Sequence, residues 1–284
     1  MQTPKWILVL GATGKQGGAV VKHLLASGWK VRALTRKPNT EKVNALKQQS
    51  VDVVVGDMED PPSLEKAMED VYGAFSVQNF WECGYEAEIR QGKNVADAAK
   101  SSNVKHIVYT SVGGAERKTG LPHFESKWMI EEYIRSLGLP HTIIRPVSFM
   151  DNYFMMKEVI MNGVLPSPGK PDKPQQLVAV DDIGAAVARA FANPEKFVGE
   201  AIEFASDELT PVQIAEVFSS VLGRQIEHVQ TPLEEMRKFR GEEIAKMIEW
   251  MDRDGYKANI PRLRENYGFQ LTSLGEWLRK TGWV

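Results

Sequence analysis

Over the first 150 residues, short runs rich in apolar and β-branched residues alternate with longer stretches whose apolar positions recur every three to four residues. The short runs, at residues 6–10, 30–35, 51–55, 73–77, 107–112 and 142–146, predict six strands. The longer stretches, at 18–26, 40–49, 62–70, 86–101 and 126–137, predict the helices that connect them. Strands that are apolar on both faces belong to a parallel sheet covered by helices on both sides. Strict alternation of strand and helix therefore points to an α/β fold, a Rossmann doubly wound parallel sheet.

Beyond residue 150 the pattern loosens. Residues 163–175 are rich in Pro, Gly and Lys and predict a loop beside a pocket. Residues 178–183 suggest a short strand entering a helix capped by aspartate, and 201–205 a strand that returns to the main sheet. Thr210-Pro211 starts a helix with Thr as its cap and Pro in its first turn. Residues 225–230 suggest a strand, 232–254 a helix and 272–280 a final short helix. The expected organisation is a nucleotide-binding domain over residues 1–152, joined by 177–206, and a smaller, mainly helical substrate- or partner-binding region from 153–176 and 207–284.

At 284 residues and 43% hydrophobic, the chain is long enough for one large domain or two joined ones. Thirty-five Lys and Arg against 37 acids give no general attraction to nucleic acid or anionic membrane, and there is no reader motif. One cysteine, Cys83, excludes an internal disulfide and fits a reducing compartment, whether it is redox-active or an inert thiol. No apolar stretch reaches membrane-helix length, and five residues before the first strand leave no room for a targeting peptide. The expected location is the cytosol, with nuclear entry left open. No metal is expected.

The richest segment is Gly11-Ala12-Thr13-Gly14-Lys15-Gln16-Gly17, between the first strand and first helix. Converging backbone N–H groups and the helix dipole make such a turn a phosphate site. Gly11 permits the tight turn, Gly14 the approach of a pyrophosphate, and Gly17 the close packing of helix on strand. The second strand is followed by Arg36-Lys37, where NAD-specific sites carry an acid for the ribose 2′-hydroxyl. Arg36 suits a 2′-phosphate through its fork and Lys37 adds a point charge, so NADP(H) is expected over NAD(H). Asp57 and Met58 follow the third strand; Asp57 can hold an adenine amino group, with Met58 against the ring, or simply cap a turn. Gly11, Arg36, Asp57, Gln78, Ser111 and Phe149 all fall at strand C-terminal ends, where ligands of such sheets gather.

Chemistry is sought near Ser111 and the run His123-Phe124-Glu125-Ser126-Lys127. Short-chain dehydrogenases combine a serine with a Tyr-x-x-x-Lys pair that shares one helix face. Here Lys127 stands, while His123 occupies the tyrosine position, either as an alternative proton source or as a packed bystander. Ser111, His123 and Lys127 are the catalytic candidates. Phe80, Trp81, Phe149, Tyr153 and Phe154 can line a substrate pocket or fill it.

The glycine turn, Thr35-Arg36-Lys37-Pro38, Gly56-Asp57, Asn79-Phe80-Trp81-Glu82, Gln91-Gly92-Lys93, His123-Phe124 with Lys127, and Phe149-Met150-Asp151-Asn152 together resemble the NmrA-like family. The resemblance spans nearly the whole chain and implies an atypical short-chain dehydrogenase fold. It implies a bound dinucleotide without the usual catalytic tyrosine, in proteins that sense the NADPH/NADP ratio through conformation, oligomeric state and protein partners. By position it implies cofactor contacts from Gly11, Ala12, Thr13, Gly14, Lys15 and Gln16, and from Arg36, Lys37, Asp57 and Met58. Further implied contacts are Gln78, Asn79, Phe80, Lys93, Lys127, Phe149, Met150, Asp151 and Asn152. Lys93 alone is as well explained as a solvated helix lysine.

Two functional classes remain. One is an NADP(H)-responsive regulator acting through a protein partner. The other is an NADPH-dependent reductase of a quinone, enal or isoflavonoid-like small molecule. A sensor needs an element whose two states differ in cofactor affinity, and residues 78–86 with 163–175 are the expected candidates. The helices at 86–101 and 126–137 offer a face for a homodimer, or core packing.

Overall fold

Strand β1 (Trp6–Val9) carries three consecutive residues without solvent exposure, Ile7, Leu8 and Val9, so both of its faces are covered. In the computed structural model, which describes residues 5–283, β1 sits near the middle of a seven-stranded sheet. The chain proceeds through α1 (Lys15–Ala26), β2 (Lys30–Thr35), α2 (Glu41–Gln48), β3 (Asp52–Val55), α3 (Pro61–Met68) and β4 (Val71–Ser76). It continues with α4 (Phe80–Cys83), α5 (Tyr85–Ser101), β5 (His106–Thr110), α6 (Pro122–Ser136) and β6 (His141–Pro146). The strand order is β3-β2-β1-β4-β5-β6, and every pair is parallel. The order reverses between β1 and β4, which opens a crevice at the C-terminal ends of those strands. All six expected strands are present, and the fold is the expected α/β Rossmann type.

Two apolar layers sandwich the sheet. One joins Val20, Val21 and Leu24 of α1 to Val187 and Phe191 of α8 (Val180–Ala192); the other joins Leu64 and Met68 of α3 to Val95 and Ile130 on α5 and α6. Between them, β7 (Ser148–Phe149), α7 (Lys157–Met161), β8 (Val164–Ser167) and β9 (Gln175–Val178) lead towards α8. After α9 (Pro194–Phe197), β10 (Ala201–Phe204) returns to the main sheet parallel to β6, as expected for 201–205. The smaller region takes in β11 (Asp207–Leu209), α10 (Pro211–Leu222), β12 (Glu227–Gln230), α11 (Leu233–Arg240), α12 (Glu242–Arg253) and α14 (Leu274–Lys280), while α13 (Ile260–Tyr267) runs back to the main core before α14. It has its own core of Met150, Ile160, Ile214, Phe218, Trp277 and Trp283.

Local rules explain most boundaries. Thr210 caps α10 in a reciprocal box with Gln213, and Ser273 does the same for α14 with Glu276. Helix α1 begins at Lys15, not at residue 18, because the Gly14 carbonyl already accepts from Gly18 N at 2.9 Å. The expected helix over 232–254 is two helices, broken at Gly241, whose φ is +90°. The aspartates at 181 and 182 do not cap α8; Ala179 is its N-cap, and the carboxylate of the distant Asp151 accepts from Val180 N at 3.2 Å. Part of the expected loop at 163–175 is strand β8, paired with β12. Helix α13, absent from the sequence reading, packs Leu263 and Tyr267 into the main core rather than the smaller region. Among the described residues no helix is long and apolar enough to cross a membrane, and no group of His, Cys, Asp and Glu side chains is placed to hold a metal.

Candidate functional site

The turn between β1 and α1 is built by steric necessity. Gly11 has φ +68°, and Gly14 N donates to the Gly11 carbonyl at 2.9 Å, folding the chain back on itself. A Cβ on Gly17 would lie 2.2 Å from that same carbonyl oxygen, so only glycine lets the helix start this close to the turn. Around it lies a cleft of about 950 Å³ at the crevice between β1 and β4, a volume in the range of a cofactor site.

Gly11, Thr13, Gly14, Lys15, Gln16 and Gly17 form its floor; Arg36, Lys37, Thr40 and Lys42 form a basic wall at the end of β2. Asp57, Met58, Gln78 and Asn79 line the next wall, with Phe149 and Asn152 beyond. Asp57 lines the cleft and takes the expected capping role, its Oδ1 accepting from Glu59 N at 3.0 Å to hold the turn. Gln78 donates to Ser76 Oγ at 3.0 Å, while its buried Oε1 and that of Gln16 have no partner. Buried polar atoms without partners in a polar cleft are what a hydrogen-bonding ligand satisfies. The glycine cradle, these two oxygens and the basic wall fit a phosphorylated dinucleotide.

Other expected contact residues lie outside the lining of this cleft. Ala12 is buried beneath the turn, and Met150 is buried in the core of the smaller region. Asp151 is not in the cleft lining; its carbonyl accepts from Lys15 Nζ at 3.2 Å, tying the wall to the floor. Lys93 lies over the Tyr133 ring, 5.0 Å from its centroid, and is also outside the lining. Phe80 turns to the His123 ring, 5.7 Å away. Residues 163–175 line no part of the cleft, because β8 and the segment after it belong with the smaller region.

The catalytic candidates do not open onto the cleft either. Ser111 is buried with its Oγ unpartnered. Lys127 Nζ donates to Glu88 Oε1 at 2.6 Å, and Ser126 Oγ donates to the other oxygen of the same fully buried carboxylate. His123 Nδ1 lies 2.6 Å from Glu243 Oε1 at the start of α12. Its ring is walled in by Trp81 at 5.1 Å and Phe124 at 4.8 Å. Burial holds the His123 pKa below the ordinary imidazole value although Glu243 pulls it upward, so its neutral form is favoured. Burial also pushes the Cys83 thiol up, which disfavours the reactive thiolate.

Sequence reasoning missed three carboxylates. Glu88 carries a signal in retrospect: it sits in register with Gly92, Val95 and Ala99 on the apolar stripe of α5, where an unpaired charge would be costly. Glu243 carries none, and the segment Asn79-Phe80-Trp81-Glu82 marks Glu82 only for resemblance and not for its pairing, since both partners are distant in the chain. Glu82, in α4, reaches across the cleft mouth to Arg36, with Oε1 2.5 Å from Nη2.

The NmrA-like family model matches residues 3–278. An NmrA-like family domain-containing protein of Dictyostelium discoideum is 32% identical over 97% of this chain and 97% of its own length. Among solved structures, the triphenylmethane reductase of Citrobacter complexed with NADP(H) superposes with a TM-score of 0.81 at 25% identity, covering 97% of this chain and 99% of that one. NmrA, a negative transcriptional regulator solved in complex with NAD, superposes at 0.82 over 99% of this chain and 96% of its own; at 23% identity it shares the fold. The chain belongs to the NmrA-like family.

Proposed function

We propose that this protein binds NADP(H) in the cleft between β1 and β4 and works as a sensor of the NADPH/NADP ratio that signals to a protein partner. The observation carrying this reading is a contrast. The dinucleotide cleft is open and unencumbered by the candidate catalytic groups, whereas Lys127 is held by the buried Glu88 and His123 by Glu243. A lysine committed to a buried carboxylate is poorly disposed to act on a nicotinamide ribose, and tyrosine is absent from the position one turn before it. The segment 78–86 fits the moving element: Gln78, Asn79, Trp81, Glu82 and Cys83 line the cleft, and α4 has no buried residue to anchor it. The adjacent Arg36 and Lys37 support NADP(H) over NAD(H).

Calorimetric titration with NADPH and NADH tests the cofactor, with tighter NADPH expected. Limited proteolysis tests the switch: cleavage within 78–86 should slow when NADPH is added and not when NADH is. Equal affinity for the two, or cleavage indifferent to the cofactor, rejects the reading.

A reductase of quinones or enals is the second reading, and the His123–Glu243 pair is what favours it, since a carboxylate orients an imidazole as a proton donor. NADPH consumption over a panel of quinones and enals decides between the two. Turnover lost in Lys127→Ala, assayed well below that variant's Tm, would establish the reductase.

A further inference from the structure

The Arg36–Glu82 pair lies where the adenosine ribose of a bound dinucleotide would meet the protein. Both residues line the cleft, one from the end of β2 and one from α4, and both side chains are more than half exposed. The surrounding charges are Asp57, which adds attraction for Arg36, and Lys37, which adds attraction for Glu82. Glu82 therefore occupies the guanidinium with the kind of acceptor a phosphate would also offer, an anionic oxygen, Oε1, in hydrogen-bond reach of Nη2.

We infer that Glu82 is a cofactor-discriminating residue: its carboxylate competes with the 2′-phosphate for Arg36 and thereby weakens NADP(H) without affecting NAD(H). This rests on the reading that the cleft takes a nicotinamide dinucleotide. A phosphomonoester carries about −1.5 to −2 charges at neutral pH. It cannot share Arg36 with a carboxylate at 2.5 Å without strong like-charge repulsion, so Glu82 must let go before the phosphate is gripped. A ribose 2′-hydroxyl carries no charge and makes no such demand. The exposed position keeps the pair weak, which is why the phosphate wins the exchange rather than being shut out. The arrangement tempers the preference that Arg36 and Lys37 would otherwise impose.

The test is calorimetric titration of the full chain and of Glu82→Gln with NADP+ and NAD+. Glutamine keeps the length and polarity of an exposed side chain and removes only its charge. The expected result is NADP+ binding tightened about two- to fivefold, the range an exposed ion pair carries, with NAD+ changed less than about twofold. Unchanged or weakened NADP+ binding overturns the inference, as does equal tightening of NAD+. If the parent chain binds neither dinucleotide, the cofactor reading itself fails and the inference falls with it. If the parent binds both and Glu82→Gln behaves like it, only the inference fails.

Discussion

Lys127 and Glu88 form an ion pair at 2.6 Å in which the carboxylate has no solvent exposure. Ser126 donates to the second carboxylate oxygen, so the anion is matched on both sides. The lysine stem reaches this carboxylate from α6 while Glu88 faces inward from α5, so the pair pins together two helices that also flank the main sheet. Such a pair adds little over an apolar replacement, yet losing one partner leaves a buried charge uncompensated.

Lys127→Ala should therefore destabilise the fold by about 3–5 kcal/mol through the stranded Glu88. In a thermal melt this corresponds to a Tm lowered by about 5–15 °C. The double variant Glu88→Gln with Lys127→Met, which removes both charges, should recover most of the loss. A Lys127→Ala protein that melts with the parent would mean that the pair contributes nothing to the stability of the fold.

Gly17→Ala should abolish dinucleotide binding. The new methyl would sit 2.2 Å from the Gly11 carbonyl, so either the turn opens or α1 shifts away from it. The strain is about 1–3 kcal/mol, typical of overpacking, so the protein should still fold. Circular dichroism checks folding and calorimetry checks binding; retained NADPH affinity in this variant would remove the phosphate site from the turn.

How much of this was legible in the sequence divides along a physical line. The strands of the main sheet and the glycine turn were legible because short apolar, β-branched runs and a steric requirement for glycine leave a local mark. The reciprocal cap at Thr210 was legible for the same reason. Helix α13 had its signals, Asn259 as cap, Pro261 in the first turn and Gly268 with φ +66° at its end, and they were passed over. Strand β8 and the Asp151 cap of α8 had none, since each depends on a partner about 30 to 60 residues away. The cleft walls at Arg36, Asp57 and Gln78 were legible from strand ends. The side chains of Lys93, Ala12 and Met150 lie outside the cleft lining, because position along a helix or turn does not fix which way a side chain faces. The three carboxylates that govern Lys127, His123 and Arg36 came from folding alone.

His106 gives the molecule an acid-sensitive core. Thr142 Oγ1 donates to the Phe197 carbonyl at 2.7 Å, so its lone pair must accept from His106 Nε2–H, 2.8 Å away. The imidazole is thus the neutral Nε2–H tautomer, with Nδ1 buried and unpartnered. Burial, reinforced by His141, holds its pKa at about 4 against an ordinary 6.5. Because the folded value is depressed, the unfolded chain binds the proton first as pH falls; the stabilisation is present above pH 6.5 and is lost down to about pH 4. The full loss is about 3 kcal/mol. Urea unfolding at pH 7 and pH 5 should show it, and His106→Gln should flatten that slope. An unchanged slope in the variant would assign the acid sensitivity to other groups.

Glu243 should set the titration of His123. Burial lowers the imidazole pKa and the carboxylate raises it, with burial the larger effect. Removing the charge in Glu243→Gln leaves burial and the nearby Lys127 unopposed except by Glu88, so the pKa should fall further. A histidine NMR titration of the parent and the variant measures this directly, the His123 resonance being assigned by its loss in His123→Gln. A rise, or no change, would show that the 2.6 Å contact between the two side chains is not populated in solution. The same experiment bears on the two functional readings. If the fall in pKa comes with no effect on NADPH consumption by any quinone or enal, the pair is a strut between α6 and α12, and the sensor reading gains. If consumption falls as His123 titrates, the imidazole is delivering protons and the reductase reading gains.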